Sequence, residues 1–79
     1  MVNIKIYTTP TCPYCVMAKE FFREKNLDFE EFNVADNHDK AEEMIEKSGQ
    51  MGVPVIDIEG TIIVGFDMHK VEHALGLDK

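Results

Sequence analysis

The tetrapeptide Cys12-Pro13-Tyr14-Cys15 joins a strand-like run to an amphipathic segment, and that junction constrains the fold more than any other stretch of the chain. Before it, residues 2–8 alternate Val2, Ile4 and Ile6 with Asn3, Lys5 and Tyr7, the period-two pattern of a strand. Thr8 to Thr11 turn around Pro10. From Pro13 to about Lys25, Cys15, Ala18, Phe21 and Phe22 form one apolar stripe, flanked by Lys19, Glu20, Arg23 and Glu24. A helix starting here puts Pro13 at its first position, where the missing N–H is harmless and φ is already helical. Cys12 is then the cap residue, and Cys15 lies one turn further in. Asn26 is the expected stop.

The remaining pattern completes a small α/β domain. Phe29, Phe32 and Val34 fall in a second strand, Asp36 offers a helix cap, and Ala41, Met44 and Ile45 repeat at helical spacing until Ser48-Gly49. Val53 to Ile58 and Thr61 to Val64 are β-branched runs joined by Glu59-Gly60, a tight hairpin. After Gly65-Phe66, Asp67 caps a last helix carrying Met68, Val71 and Leu75, and Gly76 closes it. The order is β-α-β-α-β-β-α over one domain, residues 1–79. Its first βαβ unit is expected to be parallel and right-handed, and its hairpin antiparallel. A four-stranded mixed sheet with helices on both faces is the natural solution. The five methionines read as core and gap filling.

Two thiols this close can alternate between dithiol and disulfide with little backbone movement. The orphan N–H groups and positive dipole end of the helix favour the Cys12 thiolate, the form that attacks disulfides. The helix end is the expected main cause, because no cation adjoins Cys12 in sequence and Lys19 lies seven residues on. A purely structural bridge would be a poor staple, worth roughly 2 kcal/mol for so short a loop against about 3 for a 15-residue one. Cys12 and Cys15 with His69 and His73 can be written as a zinc set. The gap of several elements between the pairs and the proline inside the knuckle argue against it, so no metal is expected.

The formal charge of −7, from fifteen acidic against eight basic residues, disfavours nucleic acid and anionic membranes as partners. Acids alternate with lysines along the second helix, as on a solvated face. The first residues lack the pattern of a signal peptide, and no stretch approaches the roughly 20 apolar residues of a membrane span. A lone reactive cysteine pair fits a reducing, cytoplasmic compartment. A monomer is expected.

With Tyr7 to Cys15, Gly52-Val53-Pro54-Val55 and Val64-Gly65-Phe66-Asp67 in this order, the chain resembles the glutaredoxins of the thioredoxin superfamily over nearly its whole length. The resemblance implies a thioredoxin-like fold, a cis peptide bond before Pro54, and a Pro54 that shields the two sulfurs. It implies a thiol–disulfide oxidoreductase in which Cys12, exposed at a helix tip, attacks a disulfide or glutathione mixed disulfide. The more buried Cys15 then resolves the intermediate. The substrate site it implies comprises Thr11, Pro13, Tyr14, Gln50, Val53, Pro54, Gly65, Phe66 and Asp67. Tyr14 flanks the entrance, Thr11 assists the cap, and the Val53 main chain receives an extended substrate as a short added strand. Glutathione is the implied co-substrate, with no tightly bound cofactor and disulfide-containing proteins as partners.

The chain departs from that pattern where glutathione would be held. The position three residues before the first cysteine, usually Lys or Arg, is Thr9; Gln50 and Met51 replace a basic residue before Val-Pro; Gly52 replaces a threonine. Charge-assisted hydrogen bonds are roughly twice as strong as neutral ones, so weaker glutathione binding is expected. Gly65-Phe66 is similar instead to the redoxins that take electrons from thioredoxin reductase and pass them to ribonucleotide reductase. Asp67 and Met68 differ from the basic residue and proline common there. A third alternative is the iron–sulfur-binding glutaredoxin, which proline within the motif and the thin glutathione site disfavour.

Overall fold

The computed structural model describes residues 3–76, so Val2, Met1 and the expected ends of the domain lie outside the described residues. Its order is β1 (Ile4–Thr8), α1 (Pro13–Glu24), β2 (Glu30–Asn33), α2 (His38–Ser48), β3 (Val55–Ile58), β4 (Thr61–Val64) and α3 (Met68–Leu75). The four strands form one mixed sheet in the order β2-β1-β3-β4. β1 and β2 are parallel, whereas β1–β3 and β3–β4 are antiparallel.

One sheet face carries Ile4, Ile6, Ile56, Ile58 and Ile63 against Ala18 and Phe22 of α1 and Val71 of α3. The other carries Tyr7 and Val55 against Met44 of α2. Both faces are therefore covered, and Tyr7, which the alternation assigns to the polar side, is fully buried. Its ring packs at 5.4 Å from that of Phe32, and its hydroxyl donates to Glu43 and accepts from Lys47 at 3.0 Å.

Local chemistry sets each boundary. α1 ends with Asn26 at φ 57°, while the Leu27 N–H reaches back to the Phe22 carbonyl at 2.9 Å. α2 is capped by Asn37, whose side chain accepts from the Lys40 N–H at 3.1 Å, and not by Asp36. Asn33 closes a turn onto the Ala35 N–H (2.9 Å) and holds the Asp36 carboxylate (3.2 Å), which moves the helix start one residue on. Glu59 and Gly60, both at positive φ, form the β3–β4 turn. The methionines differ from expectation: Met44 is core, but Met17, Met51 and Met68 are exposed.

A polar network fastens α2 to the sheet. Lys47 bridges the Tyr7 hydroxyl and the Asp57 carboxylate (2.8 Å), and Glu43 takes Tyr7, Lys40 (3.2 Å) and Lys47 (3.5 Å). The Tyr7 hydroxyl, with the two lysines, holds the Glu43 carboxyl down at about 2. Burial opposes the Asp57 charge, yet Lys47 and the Gly60 N–H outweigh it and keep that carboxyl below its usual range. A depressed folded-state carboxyl contributes stability above its unfolded value and loses it as pH falls. Melting curves should therefore show stability declining from near pH 4.5 towards pH 2. Glu43→Gln should flatten that decline and cost about 1 kcal/mol at neutral pH, discounted because the group is partly solvated. An unchanged acid slope in the variant would remove Glu43 from the explanation.

Candidate active site

Three segments meet at one end of the sheet. β1 runs into the turn that precedes α1, and its pairing with β3 ends at Tyr7–Val55, the residues next to Thr8 and Pro54 in the chain. The Gly65 N–H donates to the Pro54 carbonyl at 2.8 Å, which brings Gly65, Phe66 and Asp67 to the other side of Pro54. The peptide bond between Val53 and Pro54 is cis, and Pro54 is fully buried. Val53-Pro54 and Gly65-Phe66 are thus neighbours, and β1, which pairs with β3 as far as Tyr7–Val55, leads on through the turn to Cys12.

Cys12 caps α1 with its own sulfur. Its φ and ψ of −96° and 109° are extended, and its Sγ accepts the Cys15 N–H at 3.2 Å. Pro13 is the first helical residue, and the Cys12 N–H turns back to the Thr9 carbonyl at 3.4 Å. The cap donor is therefore turned on sulfur by Cys12 itself, while Thr11 stands exposed beside it.

Both cysteines are free thiols. The exposed Cys12 that the resemblance implies is not found: Cys12 is buried, keeping 9 % of its surface against 1 % for Cys15, because the turn before α1 folds back over it through the Cys12 N–H to the Thr9 carbonyl. Tyr14, between the two cysteines in the chain, is 61 % exposed. Burial and the neighbouring Cys12 sulfur push the Cys15 thiol up to about 12. The two sulfurs are therefore unequal in the sense a dithiol reaction needs.

The presumed glutathione-side residues fall into two groups. Val53, Phe66 and Asp67 are half-buried around Pro54, and Asp67 caps α3 by accepting the Lys70 N–H at 3.3 Å. Gln50 is turned onto its own loop: its Nε2 donates to the Gly52 carbonyl (3.0 Å) and its Oε1 accepts the Gly52 N–H (2.6 Å). A Cβ at position 52 would come within 2.7 Å of that Oε1, so glycine there is what lets the carboxamide close the loop. His69, Lys70 and His73 line a cleft between α3 and β4. Among the described residues no three His, Cys, Asp or Glu side chains form a metal-holding group. Nor is any helix among them long and apolar enough to cross a membrane.

Sequence reasoning missed Thr8, Glu31 and the reach of Lys19. Thr8 is buried, and its hydroxyl donates to Glu31 at 2.8 Å; Lys19 pairs with the same carboxylate at 2.8 Å. Lys19, with Thr8, holds the Glu31 carboxyl below its usual range. The Lys19 charge also acts on Cys15, one helical turn before it, and favours its ionisation. The i, i+4 spacing of Cys15 and Lys19 was the available signal.

Comparisons with known proteins show the family of this chain. The family model described as Glutaredoxin matches residues 4–63. The chain is 54 % identical over 69 residues to an uncharacterized glutaredoxin-like 8.6 kDa protein in a rubredoxin operon of Clostridium pasteurianum, covering 87 % of this chain and 92 % of that one. It is 42 % identical over 79 residues to glutaredoxin 3 of Escherichia coli, covering 99 % and 95 %. Among solved structures, the glutaredoxin-like protein NrdH-redoxin from Escherichia coli, described as having a thioredoxin-like activity profile, superposes with a TM-score of 0.80 at 27 % identity, covering 90 % and 92 %.

Proposed function

The chain belongs to the glutaredoxin family, with a thioredoxin-like fold, and on that premise we propose that it reduces protein disulfides and glutathione mixed disulfides by a dithiol mechanism. The Cys12 thiolate attacks a substrate disulfide, R–S–S–R′. A Cys12–S–S–R bond forms and R′–S⁻ leaves to take a proton. Cys15 loses its proton and attacks the Cys12 sulfur, forming Cys12–Cys15 and releasing R–S⁻, which is protonated in turn. Two electrons have passed from the dithiol to the substrate, and an external reductant restores it.

The observation that carries this reading is the Cys15 N–H aimed at the Cys12 sulfur at the tip of α1. The ordering of the two attacks follows from the raised Cys15 thiol. While Cys12 is free, its sulfur helps to hold the Cys15 proton. Once Cys12 is consumed in a mixed disulfide, that contribution lapses and Cys15 becomes easier to ionise.

A second reading concerns the electron donor. Thr9 is neutral where glutaredoxins usually place a cation, and the Gln50 carboxamide is occupied by Gly52. Both features favour a flavoprotein thioredoxin reductase over glutathione as donor, in line with the likeness to NrdH-redoxin and its thioredoxin-like activity profile. On this reading ribonucleotide reductase is the onward acceptor that the sequence resemblance implies. The test couples the protein to a small disulfide with either glutathione and its reductase or thioredoxin reductase, following NADPH. The expected result is faster turnover with thioredoxin reductase. Faster turnover with glutathione would reverse the donor assignment, and absence of turnover with both would overturn the oxidoreductase reading.

A further inference from the structure

We propose that Lys19, held in place by Glu31, is an electrostatic partner of the resolving cysteine and speeds the second thiol–disulfide exchange by stabilising the Cys15 thiolate. The inference rests on the reading of Cys15 as the resolving residue. Lys19 follows Cys15 at i+4, so both lie on one side of α1, and residues so spaced have Cβ atoms about 5–6 Å apart. Its side chain is directed by the 2.8 Å ion pair with Glu31 of β2, which also accepts from the buried Thr8 hydroxyl at 2.8 Å. That three-residue cluster ties α1, β1 and β2 together and holds the Lys19 side chain in one direction, one helical turn beyond Cys15.

The other charges around this corner are directed elsewhere. Arg23 of α1 sits over the Phe29 ring at 5.8 Å. In α3, Asp67 caps its own helix, Glu72 lines the groove facing α1 with Glu20, Glu24 and Lys25, and His69, Lys70 and His73 line the cleft against β4. Asp57 of β3 is engaged by Lys47 of α2. Burial and the Cys12 sulfur both oppose ionisation of Cys15, whereas the backbone at Thr9 and the Lys19 charge favour it. Lys19 is the side chain that offsets the cost of baring a thiolate in a nearly sealed position. It remains an ammonium throughout; the proton leaving Cys15 ends on the departing thiolate R–S⁻, so the step balances without proton transfer to lysine.

Single-turnover reaction with neutral 2,2′-dithiodipyridine tests this. Each of the two exchanges releases one thiopyridone, so Cys12 attack and Cys15 resolution appear as successive absorbance phases. Lys19→Met should slow the second phase about threefold at neutral pH. A one-unit rise in thiol pKa lowers the thiolate fraction tenfold, and the accompanying gain in nucleophilicity returns about half of that logarithm. The midpoint of the second phase should move to higher pH, while the first phase changes by less than about twofold. Lys19→Arg should restore most of the rate, since it keeps the charge. Glu31→Gln, which keeps an acceptor for Thr8 but releases Lys19, should slow the second phase less than Lys19→Met. Equal slowing of both phases, an unshifted second-phase pH profile, or failure of arginine to rescue would overturn the proposal. Persistence of the first phase in Cys12→Ser would instead overturn the assignment of the two cysteines, independently of Lys19.

Discussion

Cys12→Ser is expected to lower disulfide reduction on the order of 10⁴-fold or more, to the uncatalysed background, with the fold intact. A serine oxygen cannot form a disulfide with the substrate sulfur, so the first exchange has no nucleophile at the position the Cys15 N–H faces. The remaining thiol cannot substitute, because Cys15 is almost fully buried and its proton is held up to about 12. Cys15→Ser has the complementary outcome. The first exchange proceeds, and the intermediate accumulates as a mixed disulfide with the substrate, visible as an added mass that reductant removes. With glutathionylated substrates this variant should keep partial activity, since free glutathione can resolve the intermediate from outside. Steady-state rates of both variants on one protein disulfide and one glutathione mixed disulfide decide the matter. Comparable residual turnover in the two would contradict the division of roles.

The element order, the mixed sheet and the dithiol at a helix start were legible because each rests on short-range chemistry. Period-two runs, Pro13 at the first turn of α1 and the Glu59-Gly60 turn are local signals. What the chain did not reveal depends on distant residues. Tyr7 looks polar-facing by alternation and is buried because α2 covers the second sheet face, with Glu43 and Lys47 satisfying its hydroxyl. Gln50 looks available as a ligand donor, and the glycine two residues on allows its own loop to take the carboxamide. Lys19 looks remote when counted from Cys12; counted from Cys15 it stands one helical turn on, and the parallel β1–β2 pair brings Glu31 across to meet it. The three cases share one cause. A side chain's role followed from which partner the sheet delivered to it, and that delivery is a tertiary event.

Phe22→Ala should cost about 3–5 kcal/mol, the range for removing a fully buried phenylalanine. Phe22 is wholly buried between the sheet and α1, with ring centroids 5.6 Å from Phe21 and 5.9 Å from Phe29. It shares its core cluster with Ile4, Ile6, Ile56 and Ile58, so the cavity would open under the helix that carries both cysteines. At roughly 0.05–0.15 kcal/mol per residue, a domain of this size holds only about 4–12 kcal/mol in all. The melting temperature should therefore fall on the order of 12–40 °C, given about 4–8 °C per kcal/mol for domains of this length. Phe22→Leu, which keeps most of the volume, should lose less than about 1.5 kcal/mol. Because Cys15, Ala18 and Phe22 are the buried side of α1, loosening one end should also expose the other. Alkylation of Cys15 in a Cys12→Ser background should accelerate in Phe22→Ala well below its melting point. A variant that melts within a few degrees of the parent, with Cys15 still protected, would mean that α1 is docked by something other than this stripe.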